Sequence, residues 1–490
     1  MTVMKAAHVR SPRAKSKGPN ASVSRLRSTR AALLLATSLF AAPAAAQTVA
    51  ITGGRVVLGD GSEPIDNGTV VVRNGRVVAA GAGVAIPADA QRIDAAGRWV
   101  TPGLVAGFSR LGIVEVDAVG DTEDSQANGG PFSAAIDVAP AVNPKASTIA
   151  ISRASGITRA VVAPSTARSI FGGQGAVIDL GDDMSPITRA RAFQFVELGE
   201  TGAEEAGGSR ASAHALFRNA LREAGQISRE RIEGGAAVNR TPNAAEQQDL
   251  PLEEVPESEL INTTRDRPDD VLLTRFDARA LVPVATGRQI LMAHVERASD
   301  ILQALQLRRE FPRLRLVLVG ATEGWMVARE IAAAGVPVIA SPVNDLPASF
   351  EQLGATQSNV GRMRAAGVRV GIGQINDDES RQVRLSLQYA GNLVALNNVP
   401  GATGLPWGEA FAAVSSRPAE ALGLGGELGS LRPGRRADVV IWSGDPLENA
   451  SHAERVWIDG VEQPLTTRQT KLRDRYRSLD ESQRPRQYER

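Results

Sequence analysis

The amino-acid sequence predicts an α/β fold: a (β/α)8 TIM-like barrel beside a composite β-sandwich formed from both chain ends. Short β-branched segments separated by turns run from Val49 to Trp99. After Gly103 apolar strand segments alternate with helical patterns, and near Leu428 short strands return. Alternating strands and helices predict a parallel sheet, and their repetition over about 320 residues predicts a barrel. Strands at both chain ends predict one shared sandwich.

The predicted organisation has five parts. They are a signal peptide (1–46), the N-terminal part of the sandwich (47–101), the barrel (102–426) with a polar excursion at about 199–270, the C-terminal part of the sandwich (427–466) and a charged tail (467–490). The excursion combines one amphipathic helical pattern with a long polar stretch, a composition typical of surface segments.

The first 46 residues have the pattern of a secretory signal. They contain eight Lys or Arg and no acidic residue, followed by the apolar run AALLLATSLFAA and the small-residue end APAAAQ. An A-x-A cleavage site before Gln47 follows from that order. No twin-arginine pair is present, which favours export of the unfolded chain. We expect a periplasmic or secreted protein that begins at Gln47.

Charge and composition exclude several function classes. The chain has 55 Lys and Arg and 54 Asp and Glu, a net charge of +1, and removal of the signal leaves 47 basic residues against 54 acidic ones, a net charge of −7. The basic surface of a nucleic-acid-binding protein is therefore not expected, and no membrane contact is expected after signal cleavage. The absence of cysteine excludes disulfides, thiolate metal ligands and a cysteine nucleophile.

Individual elements follow from local patterns. The tetrapeptide RNGR predicts a hairpin, because Asn74 and Gly75 supply the positive φ angles of a type I′ turn. The pairs RQILMAHV with ASDILQALQLRREF, and LRLVLVG with EGWMVAREIAAAG, predict strand–helix units. The glycine-rich FGGQG at 171–175 lacks the Gly-Lys-Ser/Thr ending of a phosphate loop, and we interpret it as a tight strand-to-loop turn.

The two chain ends closely resemble the flanks of the amidohydrolase superfamily, of the imidazolonepropionase-like kind in a secreted bacterial branch. The resemblance lies in GGRVVLGDGS, NGTVVVRNGRVVAAG and IDAAGRWVTPGL at one end and in LGSLRPGRRADVVIWSGDPL at the other, and it extends through PKASTIAISRASGITRAVVAPS. It implies the barrel-and-sandwich fold and hydrolysis of C–N bonds other than peptide bonds with one or two divalent metals, Zn or similar.

The same resemblance implies four groups of metal ligands, most of which this chain lacks. The His-x-His pair of the first strand is replaced by Phe108 and Arg110. Phe has no lone pair and the guanidinium of Arg is always positive, so neither is a ligand. Strand alternation directs Arg110 into the barrel mouth, where it is a candidate for binding an anionic substrate or for pairing with an internal acid such as Glu296.

The remaining ligand positions give one candidate. His294 stands at the position of the strand-five ligand, as a metal ligand or as a hydrogen-bonded structural histidine. Gly320 replaces the strand-six histidine and Ile375 replaces the last-strand aspartate. A shift in register would offer Asp377, although the run from Asn376 to Asp378 is more typical of a turn.

The sequence allows more than one role for the other ionisable residues. Glu296 and Glu323 lie near strand ends and are candidates for acid or base groups or, the favoured interpretation, for salt-bridge partners of Arg110 or Arg297. Glu296 is also a candidate substrate-binding residue. His214 and His452 are interpreted as ordinary surface residues.

Two hypotheses about function remain. In the first, the protein hydrolyses C–N bonds with a reduced or rebuilt metal site. In the second, it is a non-catalytic relative that acts as a binding or scaffold protein. With so few ligands we expect no metal or at most one weakly held divalent ion. A small-molecule ligand, a second copy of the chain or an intact paralogue are the partners considered.

Overall fold

The computed structural model describes residues 48–116, 119–237, 273–375 and 382–477. The predicted signal peptide, most of the polar part of the excursion and the end of the charged tail lie outside the described residues. Among the described helices, none combines the length and apolar character that a bilayer span requires.

A small eight-stranded sheet is built from both ends of the chain. Its strands are β1 (Thr48–Val56), β2 (Ile65–Arg73), β3 (Arg76–Gly81), β4 (Gln91–Asp94), β5 (Trp99–Pro102), β14 (Val439–Trp442), β15 (Ala453–Ile458) and β16 (Val461–Gln463). The order is β16-β15-β14-β5-β1-β2-β3, and β4 pairs with β1. The antiparallel pairing of β5 with β14 confirms that the two ends share one sheet.

The hairpin between β2 and β3 forms where the sequence predicts it. Arg73 pairs with Arg76 across a two-residue turn. Asn74 and Gly75 have φ angles of 52° and 70°, as a type I′ turn requires. A β-carbon at Gly75 would also lie only 2.6 Å from the Asp459 carbonyl oxygen, so glycine is needed there for space as well.

The second eight-stranded sheet forms a nearly closed barrel. Its strands, in spatial as well as chain order, are β6 (Leu104–Ser109), β7 (Ile157–Val162), β8 (Phe171–Asp179), β9 (Ile187–Glu197), β10 (Ile290–Val295), β11 (Arg315–Gly320), β12 (Val338–Ala340) and β13 (Val370–Ile372). The Gln374 N–H donates to the Phe108 carbonyl at 3.0 Å and brings the two edges together.

One barrel strand runs against the others. Strand β8 pairs antiparallel with both β7 and β9, whereas the other neighbouring pairs are parallel. The interpretation of FGGQG as a turn is therefore wrong, because these residues begin β8. A side chain at Gly175 would collide with the ring of Phe193, so the glycines allow close packing within a strand rather than a turn.

Helices cover the barrel and complete the loops. They are α1 (Ser147–Ala154), α2 (Glu200–Glu205), α3 (Arg210–Ala237), α4 (Arg275–Ala285), α5 (Ala298–Glu310), α6 (Ala328–Ala334), α7 (Asn359–Ala365), α8 (Ser386–Ala395), α9 (Trp407–Ala413), α10 (Ser416–Ala421) and α11 (Arg468–Tyr476). Helix α5 after β10 and helix α6 after β11 confirm the predicted strand–helix units. Within the predicted tail, Thr467 caps α11 by accepting from the Thr470 N–H.

Apolar side chains fill the barrel interior. Phe108, Phe193 and Phe195 are at most 1% exposed, and the rings of Phe108 and Phe195 lie 5.4 Å apart. Val161, Met292, Val319 and Ile339 extend this core, and Leu422, Leu424 and Leu428 pack against it. Phe108, at the first ligand position of the family, is thus a core residue.

A buried ion cluster ties the barrel to the small sheet. Arg159 of β7 is fully buried and donates from Nε to Asp438 Oδ2 at 2.7 Å and from Nη2 to Asp438 Oδ1 at 2.9 Å. Its Nη2 also lies 2.9 Å from Asp459 Oδ1. Burial lowers the pKa of Arg159, but the two carboxylates raise it further, so the net shift is upward. The cluster fixes the C-terminal strands against the barrel.

Candidate functional site at the barrel mouth

Strand alternation brings an acid and a histidine together at the carboxyl end of the barrel strands. On β9, Phe193 and Phe195 face the barrel interior, so Glu197, the last residue of the strand, faces the same way. On β10, Met292 places His294 on the interior side by the same rule. The register pairs His294 with Glu197.

His294 lies between two carboxylates. Its Nδ1 is 2.7 Å from Glu197 Oε2 and its Nε2 is 3.0 Å from Glu296 Oε1. The second oxygen of Glu296 accepts from the Thr322 N–H at 2.8 Å. The Glu296 side chain is 3% exposed and that of His294 is 17% exposed, so little water screens these contacts.

The carboxylates keep His294 protonated. Burial lowers the pKa of His294, but the charges and hydrogen bonds of Glu197 and Glu296 raise it well above its ordinary value. Burial raises the pKa of Glu296, while the contacts with His294 and Thr322 lower it, with a net shift downward. A carboxylate at each ring nitrogen favours the imidazolium form of His294, in which each N–H donates to one carboxylate.

Glu296 occupies the space that a side chain at position 320 would need. Gly320 ends β11 with a φ of +85°, a conformation that favours glycine. A β-carbon there would lie 2.5 to 2.8 Å from the carboxylate atoms of Glu296. The backbone conformation therefore disfavours a histidine at this point, and any side chain there would require the Glu296 carboxylate to move.

Arg110 is buried just after β6. The residue is 7% exposed. Burial lowers the pKa of its guanidinium to about 10, against the raising effect of the Glu197 and Glu123 charges. The expected partner, Glu296, instead binds His294 and Thr322. The carboxylates that act on Arg110 therefore include Glu197, a residue that the sequence analysis did not select.

Glu296 and Glu323 have other partners than Arg110 or Arg297, the arginines favoured by the sequence analysis. Glu323 accepts from the Ala298 N–H and the Gly354 N–H, each at 2.9 Å, and so holds the start of α5 and a loop. Arg297 pairs with Asp300 at 2.8 Å. The acids and the arginine that the sequence analysis paired with each other thus form other, local contacts.

An apolar side chain, that of Ile375, follows the last barrel strand. Ile375 is 8% exposed and belongs to the barrel core. Asp377 and Asp378, the alternatives that a register shift would supply, lie outside the described residues.

The two remaining histidines differ from each other. The surface assignment of His214 is wrong, because the residue is 8% exposed on α3, whose neighbouring Ala213 and Phe217 are fully buried. Burial lowers the pKa of His214. His452 is confirmed as exposed, and its Nδ1 lies 3.1 Å from Ser443 Oγ.

Comparison with known proteins finds similarity to one family. Residues 314–462 match the family model described as the amidohydrolase family. The chain is 27% identical over 411 residues to an imidazolonepropionase of Acidiphilium cryptum, a match that covers 78% of this chain and 89% of that protein. These matches support a relationship to the amidohydrolase superfamily.

Two further similarities of this chain differ in extent. A 60-residue stretch, 12% of this chain, is 45% identical to the amidohydrolase tasK of Hapsidospora irregularis, but it spans only 6% of that relative. The crystal structure of an amidohydrolase from Thermotoga maritima has the same fold, with a TM-score of 0.69 and 23% identity over 84% of this chain and 99% of that one.

The metal centre typical of amidohydrolases does not fit the described residues. No group of three or more His, Cys, Asp or Glu among them has an arrangement that could hold a metal ion. An imidazolium that donates from both nitrogens has no lone pair to offer. Phe108 fills the core, Arg110 is cationic, and Gly320 has no side chain. We therefore derive no chemical step through a metal.

Sequence reasoning missed two acids near His294. Glu197 follows Phe193 and Phe195 at alternate positions of β9, a signal that could have identified it. Glu351 accepts from the Glu200 N–H at 2.7 Å and from Arg210 Nη2 at 3.0 Å. Burial raises the pKa of Glu351, with Glu200 and His294 acting against that shift. Nothing in the local sequence around Glu351 signals this position.

Proposed function

We propose that this amidohydrolase-superfamily protein is a non-catalytic relative, and that it acts as a binding or scaffold protein. One observation carries the proposal: both ring nitrogens of His294 are hydrogen-bonded to carboxylates. The residue that stands at a metal-ligand position is thus a fixed cation in an internal network. Phe108, Arg110 and Gly320 supply no ligand for a metal that would lower the pKa of a bound water molecule, which is what hydrolysis in this family needs.

The charges around His294 support this proposal because its two carboxylate partners are matched by two cations, while Glu123 and Glu351 are further acids nearby. Glu197 and Glu296 supply two negative charges, while Arg110 and protonated His294 supply two positive ones. Burial makes each of these charges costly unless it is paired. The network therefore holds His294, Glu197 and Glu296 in one arrangement, which suits a scaffold.

A second candidate function is hydrolysis of C–N bonds other than peptide bonds, with a rebuilt site that holds at most one weakly bound divalent metal. It is favoured by the similarity to an imidazolonepropionase over 89% of that enzyme's length. The adjacency of Glu197 and His294 also favours it, because a carboxylate and an imidazole are both ligands of Zn²⁺.

Metal content separates the two candidates. The mature chain is purified without chelators, beside a His294→Gln variant, and Zn, Mn and Fe are measured by elemental analysis. The non-catalytic function predicts well under one metal per chain in both proteins. One or two metals per chain, lost in His294→Gln, would reject it and support the rebuilt hydrolase site.

Export and partners complete the proposal. The basic segment, apolar run and A-x-A end support a signal peptide and a periplasmic or secreted location. A non-catalytic relative needs a partner or ligand in order to act, and we propose an intact paralogue, a second copy of the chain or a small molecule in that role.

A further inference from the structure

A cavity rich in arginine lies at the opposite end of the barrel from the mouth. It has a volume of about 340 Å³. Ile290 and Arg315, the first residues of β10 and β11, contribute to its wall. His294 lies four residues further along β10, about 13 Å away at 3.3 Å per residue. The cavity is therefore separate from the candidate site.

Four arginines and no acidic residue line this arginine cavity. They are Arg189, Arg191, Arg288 and Arg315. Arg189 has a distant acidic neighbour in Glu427 at 3.7 Å, and Arg191 has one in Asp137 at 3.6 Å. Arg288 and Arg315 form no ion pair with any described residue. Four like charges around one cavity repel each other, and a bound anion would relieve that repulsion.

The backbone holds two of these arginines in place. Arg191 has a φ of +49°, a left-handed conformation that is costly for a residue with a side chain and that tends to occur at functional sites. Its carbonyl accepts from Gln289 Nε2 at 2.9 Å, which fixes the backbone of β9 at this residue. At Gly423 a β-carbon would lie 3.1 Å from Arg315 Nη2, so glycine makes room for that guanidinium.

We propose that the arginine cavity binds a small oxyanion carrying at least two negative charges, such as a phosphate ester or a polycarboxylate. Guanidinium groups bind phosphate and carboxylate oxygens in pairs of parallel hydrogen bonds. The mature chain is acidic overall, with 54 Asp and Glu in the sequence, so a cavity without acids stands out from the general surface. This inference does not depend on the proposed function of the mouth.

Calorimetric titration tests the proposal. Inorganic pyrophosphate and citrate are titrated in turn into the mature chain at constant ionic strength set with potassium chloride. The test variant carries Arg288→Ala and Arg315→Ala together. The control variant, Arg92→Ala with Arg309→Ala, removes the same charge from exposed arginines outside the cavity. Circular dichroism checks that both variants fold.

We expect saturable binding of one pyrophosphate or citrate per chain. Affinity should fall at least tenfold in the test variant and change less than twofold in the control. Tighter binding of pyrophosphate would assign the cavity to phosphate compounds, and tighter binding of citrate to polycarboxylates. Absence of saturable binding to the wild type, or an equal loss in both variants, would overturn the proposal.

Discussion

Glu296→Gln tests whether the mouth is held by a buried ion network. The change keeps the size of the side chain but removes one of the two negative charges beside His294. Glu296 is 3% exposed at its side chain, so water cannot replace the lost charge. Removal of one partner from a buried ion pair costs about 3–5 kcal/mol. We expect a loss in that range in the free energy of unfolding at pH 6.

The pH dependence of this loss follows from the two pKa shifts. The pKa of His294 is raised in the folded state, so its contribution is complete below its ordinary value of 6.5 and is lost as the pH rises through the raised value. The pKa of Glu296 is lowered, so its contribution is present above 4.5 and is lost as the pH falls through the lowered value. The cost of Glu296→Gln should be largest at pH 5–6.5, a window bounded by about these values.

Urea denaturation measures the cost. With an m-value of about 3 kcal/mol/M, a loss of 3–5 kcal/mol lowers the midpoint by about 1–1.7 M. The matched control is Glu462→Gln, which removes the same charge from an exposed pair with Arg455, where less than about 1 kcal/mol is expected. Equal costs for the two variants at pH 6 would refute the network, as would a cost that grows steadily towards alkaline pH.

Three other predictions concern the rest of the chain. Arg110→Ala should lower the unfolding free energy by about 3–5 kcal/mol because it leaves the Glu197 charge with one cation fewer; an unchanged melting temperature, together with loss of stabilisation by small carboxylates, would instead assign Arg110 to ligand binding. Arg159→Ala should cost a similar amount by stranding Asp438, and near-neutral behaviour in urea denaturation would contradict the buried cluster. N-terminal sequencing of protein from a native-like host should begin at or near Gln47, and soluble protein that retains Met1 would count against export.

Local sequence patterns predicted those parts of the fold that depend on residues adjacent in sequence. The turn at Asn74 and Gly75 depends on φ angles of two residues and was predictable. The strand–helix units after Gly103 were predictable because periodicity changes within a few residues. The reversed strand β8 could not be predicted in this way. Its glycines resemble a turn in sequence, but they leave space for the ring of Phe193, a contact that depends on the tertiary structure.

The site was less accessible to sequence reasoning because its contacts are long-range. His294 and Glu197 are 97 residues apart in sequence, and no local spacing announces the pair. The prediction that His214 is exposed failed because an amphipathic pattern shows which side of a helix is buried but not how many residues that buried side includes. At α3 the buried face is wide enough to include His214 as well as Ala213 and Phe217.

The charges at the mouth link the positions at which this chain departs from the ligands that the resemblance implies. The resemblance to amidohydrolases implies one or two divalent metals, which would supply positive charge to the site. Here two buried carboxylates would repel each other without such an ion, and Arg110 and protonated His294 supply the two charges instead. Protonation of His294 in turn removes its lone pair, and Glu296 then fills the space at Gly320. A histidine at position 110 alone would therefore remove one compensating cation, while the Glu296 carboxylate would still occupy the space beside Gly320. The residues at positions 110, 294 and 320 thus depend on one another.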